Sequence, residues 1–319
     1  MRIVIPGGSG QIGTLLSRAF RADGHEVVVL TRNPGDAPWR MVYWDGETLG
    51  RWAAELDGAD AVVNLAGSTV NCRYTAKNRR KIIDSRVKST RAVGEAIAQA
   101  KPPPSVWLQA STATVYSHRY DAPNDETTGI LGGSELGAPE KWKFSIDVAS
   151  AWERAFDEAV IPRTRKVKMR SAITLSPDSG GIFDTILGLV RVGLGGHQGD
   201  GRQFVSWVHF EDFIRAVSWL MNRPDFEGTV NIAAPNPLPN DQFMRMLRQA
   251  WGMPVGLPAK ALMLEIGALF LQTETELILK SRRVVPGRLA EAGFVFRYPS
   301  WHKAAGDLCA QWRLINQRM

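Results

Sequence analysis

The chain is short of the residues that staple or metallate a fold. Its two cysteines, Cys72 and Cys309, stand far apart among 319 residues. They make neither a disulfide framework nor a metal cluster, and a reducing cytoplasm is the expected setting. His197, His209 and Asp212 lack a compact ligand spacing, so no metal is expected. No apolar run approaches the roughly 18 residues a membrane helix needs. The most apolar region, 259–280, reads as a helix but is interrupted by Glu265, Glu274 and Glu276, and no membrane association is expected. With a first strand opening at Arg2, no targeting segment is expected ahead of it. A G-x-S-x-G elbow is also missing, which argues against a Ser-His-Asp hydrolase. There is no internal repeat and no low-complexity stretch.

What is present is ordinary globular material. Hydrophobic residues make up 44% and charged residues 22%, enough for a sizeable core in one large domain or two modest ones. The net charge of +7 suits an anionic ligand. The densest basic stretches, 77–81 and 163–170, carry no interleaved aromatics and read as solvated faces, so nucleic acid is not an expected partner. Eleven tryptophans are read as core and interface residues.

Strand and helix signals alternate, as in a parallel α/β sheet. Apolar strands are read at 3–5, 26–31, 59–65, 105–110, 166–175 and 228–233. Helices are read at 14–22, 75–100, 145–159, 240–251 and 301–313, and 289–298 reads as a helix end, a turn and a short strand. Between the first strand and helix lies Pro6-Gly7-Gly8-Ser9-Gly10-Gln11-Ile12-Gly13. Strand, glycine loop and helix in that order are the context of a dinucleotide fingerprint. Gly7 permits the tight turn, Gly10 admits a pyrophosphate close to the backbone, and Gly13 lets the helix pack on the strand. The anion then meets unpaired amides at the positive end of the helix. After Pro177 the composition turns loop-rich, with Gly180-Gly181 and 193–201 expected to face a ligand.

Several stretches together resemble the extended short-chain dehydrogenase/reductase superfamily. They are PGGSGQIG, VVNLAGSTV at 62–70, DSRVKST at 84–90, STATVY at 111–116, SPDSGG at 176–181, GLGGHQGDGRQFVSWVHFED at 193–212 and SRRVVPGRLAEAGFVFRYP at 281–299. The chain is most similar to the atypical branch of NAD-dependent epimerase/dehydratase-like proteins with a C-terminal domain of unknown function. That branch includes cell-division-inhibitor-like members. The resemblance implies a doubly wound Rossmann sheet over 1–176 and 205–235. A smaller C-terminal α/β lobe over 177–204 and 236–319 completes the fold, with the ligand in the cleft between them. It also implies cofactor roles for Gly7, Ser9, Gly10, Gln11, Ile12, Gly13, Asn64, Ala66 and Gly67, with Asp45 near the adenine edge.

The second strand ends Leu30-Thr31-Arg32, with no acid to hold a ribose 2′-hydroxyl. Arg32 matches a 2′-phosphate, and NADP(H) is the expected cofactor. Active relatives use a Ser/Thr with Tyr and Lys in Y-x-x-x-K. Thr112 stands at the first position, but Phe144 and Val148 fall where the pair should be, and neither transfers a proton. The branch often lacks this pair and keeps an aromatic hydroxyl after the Ser/Thr strand, so the resemblance puts Tyr116 forward to carry a proton, against a plain packing role. His118 is read as an ordinary loop histidine, His209 as structural, and Asp212 as a helix-start residue stabilised by the dipole. Arg86 replaces an asparagine that relatives keep near the active site. It is grouped with the cofactor residues as a guanidinium for an anionic group. Arg202, at the tip of a glycine-rich loop, is the candidate for substrate phosphates. Two functions follow. One is an NADP(H)-dependent oxidoreductase or epimerase acting on a small anionic or nucleotide-linked substrate. The other is a weak or inactive NADP(H)-binding regulatory protein. A homo-oligomer is left open.

Overall fold

The computed structural model describes residues 1–135, 139, 142–259 and 276–317. Seven strands form the main sheet: β1 (Arg2–Pro6), β2 (Glu26–Thr31), β3 (Arg40–Tyr43), β4 (Ala61–Asn64), β5 (Val106–Thr112), β6 (Arg165–Ser171) and β10 (Gly228–Ile232). Their order is β3-β2-β1-β4-β5-β6-β10, and every neighbouring pair is parallel. The order reverses between β1 and β4, where an open parallel sheet leaves a crevice at its carboxyl edge. The fold is therefore the doubly wound α/β architecture.

Alternation along the buried strands fills both faces. Ile3 and Ile5 enter one core with Leu16 and Phe20 of α1 (Gln11–Ala22) and Phe213 and Val217 of α5 (Phe210–Met221). Val4, between them, enters the other, with Val93 and Ile97 of α2 (Ala76–Gln99) and Phe156 of α3 (Lys143–Asp157). Successive side chains leave a strand on opposite faces, so helices on both sides are needed to cover it. Thr75 caps α2 by accepting from the Asn78 amide at 3.3 Å.

A second cluster lies outside the main sheet. It joins Phe183 and Leu187 of α4 (Ile182–Arg191), Trp207 of β9 (Trp207–His209), Phe243 of α6 (Asn240–Trp251) and Trp301 and Trp312 of the C-terminal helix Trp301–Asn316. Two small sheets frame it: β7 (Ile173–Leu175) parallel to β9, and β8 (Phe204–Val205) antiparallel to β11 (Leu238–Pro239).

Some elements differ from the sequence expectation. The strand read over 166–175 is two, because after Ala172 the chain leaves the main sheet to pair with β9. β3 and α4 were not anticipated. No strand follows the short helix Gly287–Glu291; the Arg297 and Tyr298 amides instead donate to the Asp212 carboxylate at 2.8 Å each. Of the helix expected over 259–280, Glu276–Leu279 is helical and 260–275 lies outside the described residues. Among the described residues no helix is long and apolar enough to cross a membrane.

The segment after Glu276 returns to the main sheet. The Ser281 amide donates to His118 Nδ1 at 2.7 Å, the Val285 amide to Asn124 O at 3.0 Å, and Arg288 Nη1 to Thr229 O at 2.6 Å. His118 is thus a structural tie, in keeping with the bland expectation for it.

Candidate functional site

The glycine turn is shaped by its neighbours. Gly7 has φ +74°, and a Cβ there would lie 2.6 Å from Ala66 Cα, so only glycine fits. A Cβ on Gly13 would sit 2.4 Å from the Gly8 backbone. Gly13 therefore lets α1 fold onto its own turn, rather than onto the strand as expected. Gly8 is itself pressed against Ile5 and Val29, at 2.9 and 3.0 Å from a hypothetical Cβ, a constraint the sequence reading passed over. Gly10 is different. A Cβ there would meet nothing nearer than Gly7 O at 3.9 Å, so nothing inside the protein requires a glycine. The α1 N-terminus has no side-chain cap and no acid in its first turn. Its amides are available to an anion. The side chains of Gln11 and Ile12 turn elsewhere: Gln11 Nε2 donates to Ser176 Oγ at 3.1 Å and Ile12 packs against the main core.

The outer cleft over this turn is lined by Gly7, Ser9, Gly10, Arg32, Asp45 and Gly67. Thr31 is buried and donates to Ser9 Oγ at 2.9 Å, fixing the serine beside the turn. Arg32 is exposed on the cleft rim and pairs with no carboxylate among the described residues. Asp45 also lines the cleft, but its carboxylate accepts from the Glu47 and Thr48 amides at 2.8 and 2.9 Å. Desolvation works against its charge, yet these bonds and the Thr48 hydroxyl outweigh it and hold the pKa below the usual range. Asn64 is buried, with Nδ2 donating to Gln109 Oε1 at 2.9 Å and Oδ1 accepting from the Ala66 amide at 3.1 Å. It shapes the loop that carries Ala66 and Gly67 against Gly7.

Arg86 lies where the outer cleft gives way to an inner pocket. Its Cζ would be 3.1 Å from a Cβ on Gly67, and Nη1 donates to Ser68 O and Ile82 O at 3.0 and 3.2 Å. Burial lowers its pKa to about 10, so it stays charged at neutral pH. The pocket also holds Thr112, Thr114, Tyr74, Phe144, Ser145 and Val148. Thr112 accepts from the Thr114 amide at 3.2 Å, and its hydroxyl proton meets no acceptor among the described residues. Phe144 and Val148 are both buried in the pocket wall, on one face of α3.

Tyr116 is not brought to this site. It lines neither the cleft nor the inner pocket. Its buried hydroxyl donates to Asn231 Oδ1 at 2.9 Å and accepts from Arg170 Nη1 at 3.0 Å. Arg170 in turn forks onto Glu153, at 2.8 and 2.7 Å. Burial raises the phenol pKa in spite of Arg170, so Tyr116 stays protonated. The geometry gives it the packing role rather than proton transfer.

A polar cluster from the chain's last quarter lies beside the pocket, with no local motif to announce it. Ser145 Oγ donates to the buried Glu276 carboxylate, Lys280 Nζ lies 3.7 Å from Glu276 and donates to Thr114 O at 3.0 Å, and Arg282 Nε donates to Thr114 Oγ1 at 3.2 Å. Burial lowers the Lys280 pKa to about 8. The hydroxyl directly after Phe144, and an acid and a lysine four apart at 276 and 280, were the available signals.

The remaining candidates lie elsewhere. Arg202 is exposed, with Cζ 5.8 Å from the Tyr120 ring centre, and lines neither cavity. His209 Nε2 bonds Asp307 at 3.1 Å while Nδ1 accepts from the Glu211 amide at 3.3 Å. His209, Glu211 and Asp307 place ligand atoms within 4.8 Å of one another, but both imidazole nitrogens are in use and Arg297 pairs with Glu211 at 2.7 Å. Asp212 is not mainly a helix-dipole residue, since it anchors residues 297 and 298.

Residues 3–133 match the model of the NAD dependent epimerase/dehydratase family, and 261–308 match a domain of unknown function, DUF1731. The epimerase family protein SDR39U1 of Bos taurus is 31% identical over 97% of this chain and 100% of its own. A crystal structure of human epimerase family protein SDR39U1 (isoform 2) with NADPH superposes with a TM-score of 0.84 at 28% identity, covering 97% of this chain and 99% of that one. A nucleoside-diphosphate sugar epimerase from Corynebacterium glutamicum gives 0.74 at 25% identity, covering 99% of this chain and 61% of that one. Fold, glycine turn and full-length similarity agree: the chain belongs to the NAD-dependent epimerase/dehydratase family, in the branch that carries the DUF1731 domain.

Proposed function

We propose that this protein binds NADP(H) in the outer cleft and acts as an oxidoreductase or epimerase on a small anionic or nucleotide-linked substrate. The observation that carries the reading is Gly10, a glycine the protein does not need for itself, beside an uncapped helix start. The human relative crystallised with NADPH supports it. The α1 amides and Gly10 hold the diphosphate, Ser9 and Arg32 the 2′-phosphate, and Asp45, Asn64, Ala66 and Gly67 shape the rest of the cleft. When bound, the dinucleotide supplies or accepts a hydride. Thr112 donates a hydrogen bond to the oxygen of the reacting carbonyl and stabilises the negative charge that builds there. For a nucleotide-linked substrate, Arg202 is the guanidinium assigned to its phosphates.

A second reading, an NADP(H)-binding protein with little or no turnover, is favoured by one observation. Phe144 and Val148 line the pocket at the spacing of the Tyr-Lys pair and move no proton. Calorimetric titration with NADPH and NADH tests the cofactor. Preference for NADPH is expected, and no uptake of either would end both readings. Nicotinamide oxidation across a panel of carbonyl compounds and sugar nucleotides then separates them, since turnover supports the first and its absence the second.

A further inference from the structure

We infer that the inner pocket is built for a compact monocarboxylic acid with an aromatic or branched aliphatic body, its carbonyl facing Thr112, and not for a sugar phosphate. The inference deepens the dinucleotide reading, and rests on it only for the chemistry next to the pocket.

The first support is Arg86. Its Nη1 is spent on two main-chain carbonyls, and Nε and Nη2 meet no acceptor among the described residues. No carboxylate there pairs with it; its guanidinium instead stacks 5.0 Å from the Trp152 ring centre. A buried cation without a counter-ion is costly, and burial already depresses its pKa. An arriving carboxylate offers two coplanar oxygens to the remaining two-donor edge. A phosphate dianion would bring a second charge that this single guanidinium leaves uncompensated.

The second support is the wall. Val70, Ile82, Phe144, Val148 and Trp152 present hydrocarbon and ring surface. Sugar hydroxyls desolvated against them would each give up water partners that this wall does not replace. Ser145 donates to Glu276, whereas Thr112 and Thr114 each accept one hydrogen bond and have no acceptor for the hydroxyl proton among the described residues. One fork and two neighbouring hydroxyls beside apolar walls suit a carboxylate next to a carbonyl better than a ring of sugar hydroxyls.

The test uses the full chain saturated with NADP+, with calorimetric titration of phenylpyruvate, phenylacetate, phenylacetamide, UDP-glucose and inorganic phosphate. The two carboxylates are expected to bind at least tenfold more tightly than the amide, UDP-glucose or phosphate. Arg86→Met should lose that tenfold, and Arg86→Lys, which keeps the charge but not the fork, should lose several-fold. NADP+ affinity is titrated separately for each variant, and every acid titration is run at NADP+ saturating for that variant, so that a change in coenzyme affinity is kept apart from a change in acid affinity. The inference is overturned if neither carboxylate binds below about 10 mM, if amide and acid bind alike, if UDP-glucose or phosphate binds more tightly, or if Arg86→Met binds phenylacetate like wild type. Failure of NADP+ itself to bind would instead sink the cofactor reading.

Discussion

Gly10→Ala separates what the fold needs from what a ligand needs. At Gly10 the backbone has φ −77° and ψ 173°, which alanine adopts, and the added methyl would meet only Gly7 O at 3.9 Å. Alanine is a poorer N-cap by about 0.5–1 kcal/mol, but stiffens the unfolded chain by about 0.4–1 kcal/mol. The terms nearly cancel, so the unliganded melting temperature should move by about 1 °C or less. The same methyl stands on the face where a diphosphate would meet the α1 amides. NADPH at a hundred times its Kd stabilises wild type by about 2.7 kcal/mol, and a tenfold loss of affinity reduces that to about 1.4 kcal/mol. At about 2 °C per kcal/mol for a chain of this size, the NADPH-induced shift should fall from about 5 °C to about 3 °C or less. Gly7→Ala is the contrast. Its φ of +74° costs alanine about 1–2 kcal/mol, and the 2.6 Å approach to Ala66 forces backbone to move, so it should melt several degrees lower without any ligand. Scanning fluorimetry of the three proteins with and without NADPH decides the matter. A Gly10→Ala protein that keeps the full NADPH shift refutes the assignment of that face to the cofactor.

Other outcomes are equally specific. Arg32→Gln should weaken NADPH by about tenfold and leave NADH within twofold, read by nicotinamide fluorescence, because a charge-assisted contact to a phosphate is worth about 1–2 kcal/mol; equal effects on both coenzymes would contradict the 2′-phosphate role. Arg170→Met leaves the buried Glu153 carboxylate with only Ser111 and, at 3.9 Å, Lys168, and should cost about 3 kcal/mol in urea unfolding; a loss under 1 kcal/mol would show that the pair is not desolvated. His209 is fully buried, and burial depresses its pKa to about 4 despite Asp307. A depressed base binds its proton more readily when unfolded, so its stability contribution is intact above about pH 6.5 and erodes as pH falls toward 4, by roughly 3 kcal/mol. His209→Gln should flatten the stability profile across that window, and an unchanged slope would assign it to other groups. Tyr116→Phe should destabilise the fold by about 1–3 kcal/mol, because Asn231 and Arg170 lose their shared partner, while NADPH binding stays intact; weakened NADPH binding would place Tyr116 at the site after all.

Local features were legible in the sequence and distant partners were not. The glycine turn, β2 and α2 are written in contiguous residues, since a buried parallel strand is an unbroken apolar run and Thr75 announces its own helix. β3 escaped notice because Arg40–Tyr43 is a short edge strand only half buried. Tyr116 misled for a related reason. Its place just past the Ser/Thr strand suggests a phenol facing the cleft, but β5–β6 pairing sets Arg170 opposite Ser111 and the guanidinium takes the phenol into the core. Ser145 and Glu276 are 131 residues apart, and Asp212 is 85 and 86 residues from the amides it anchors. No spacing rule reaches across such distances. The missing proton-transfer pair was legible, because Y-x-x-x-K is a local pattern and its absence is as visible as its presence.

The strap formed by residues 281–288 sets an order of events at the ribosome. Every strand of the main sheet has been made once Ile232 is complete, yet His118, Asn124 and Thr229 each wait for a partner from that strap. A nascent chain can therefore assemble its glycine turn long before the strap ties residues 118–124 to β10. Chains that stall short of residue 281 would release a complete sheet with that seam unfastened, a natural client for chaperones and proteases.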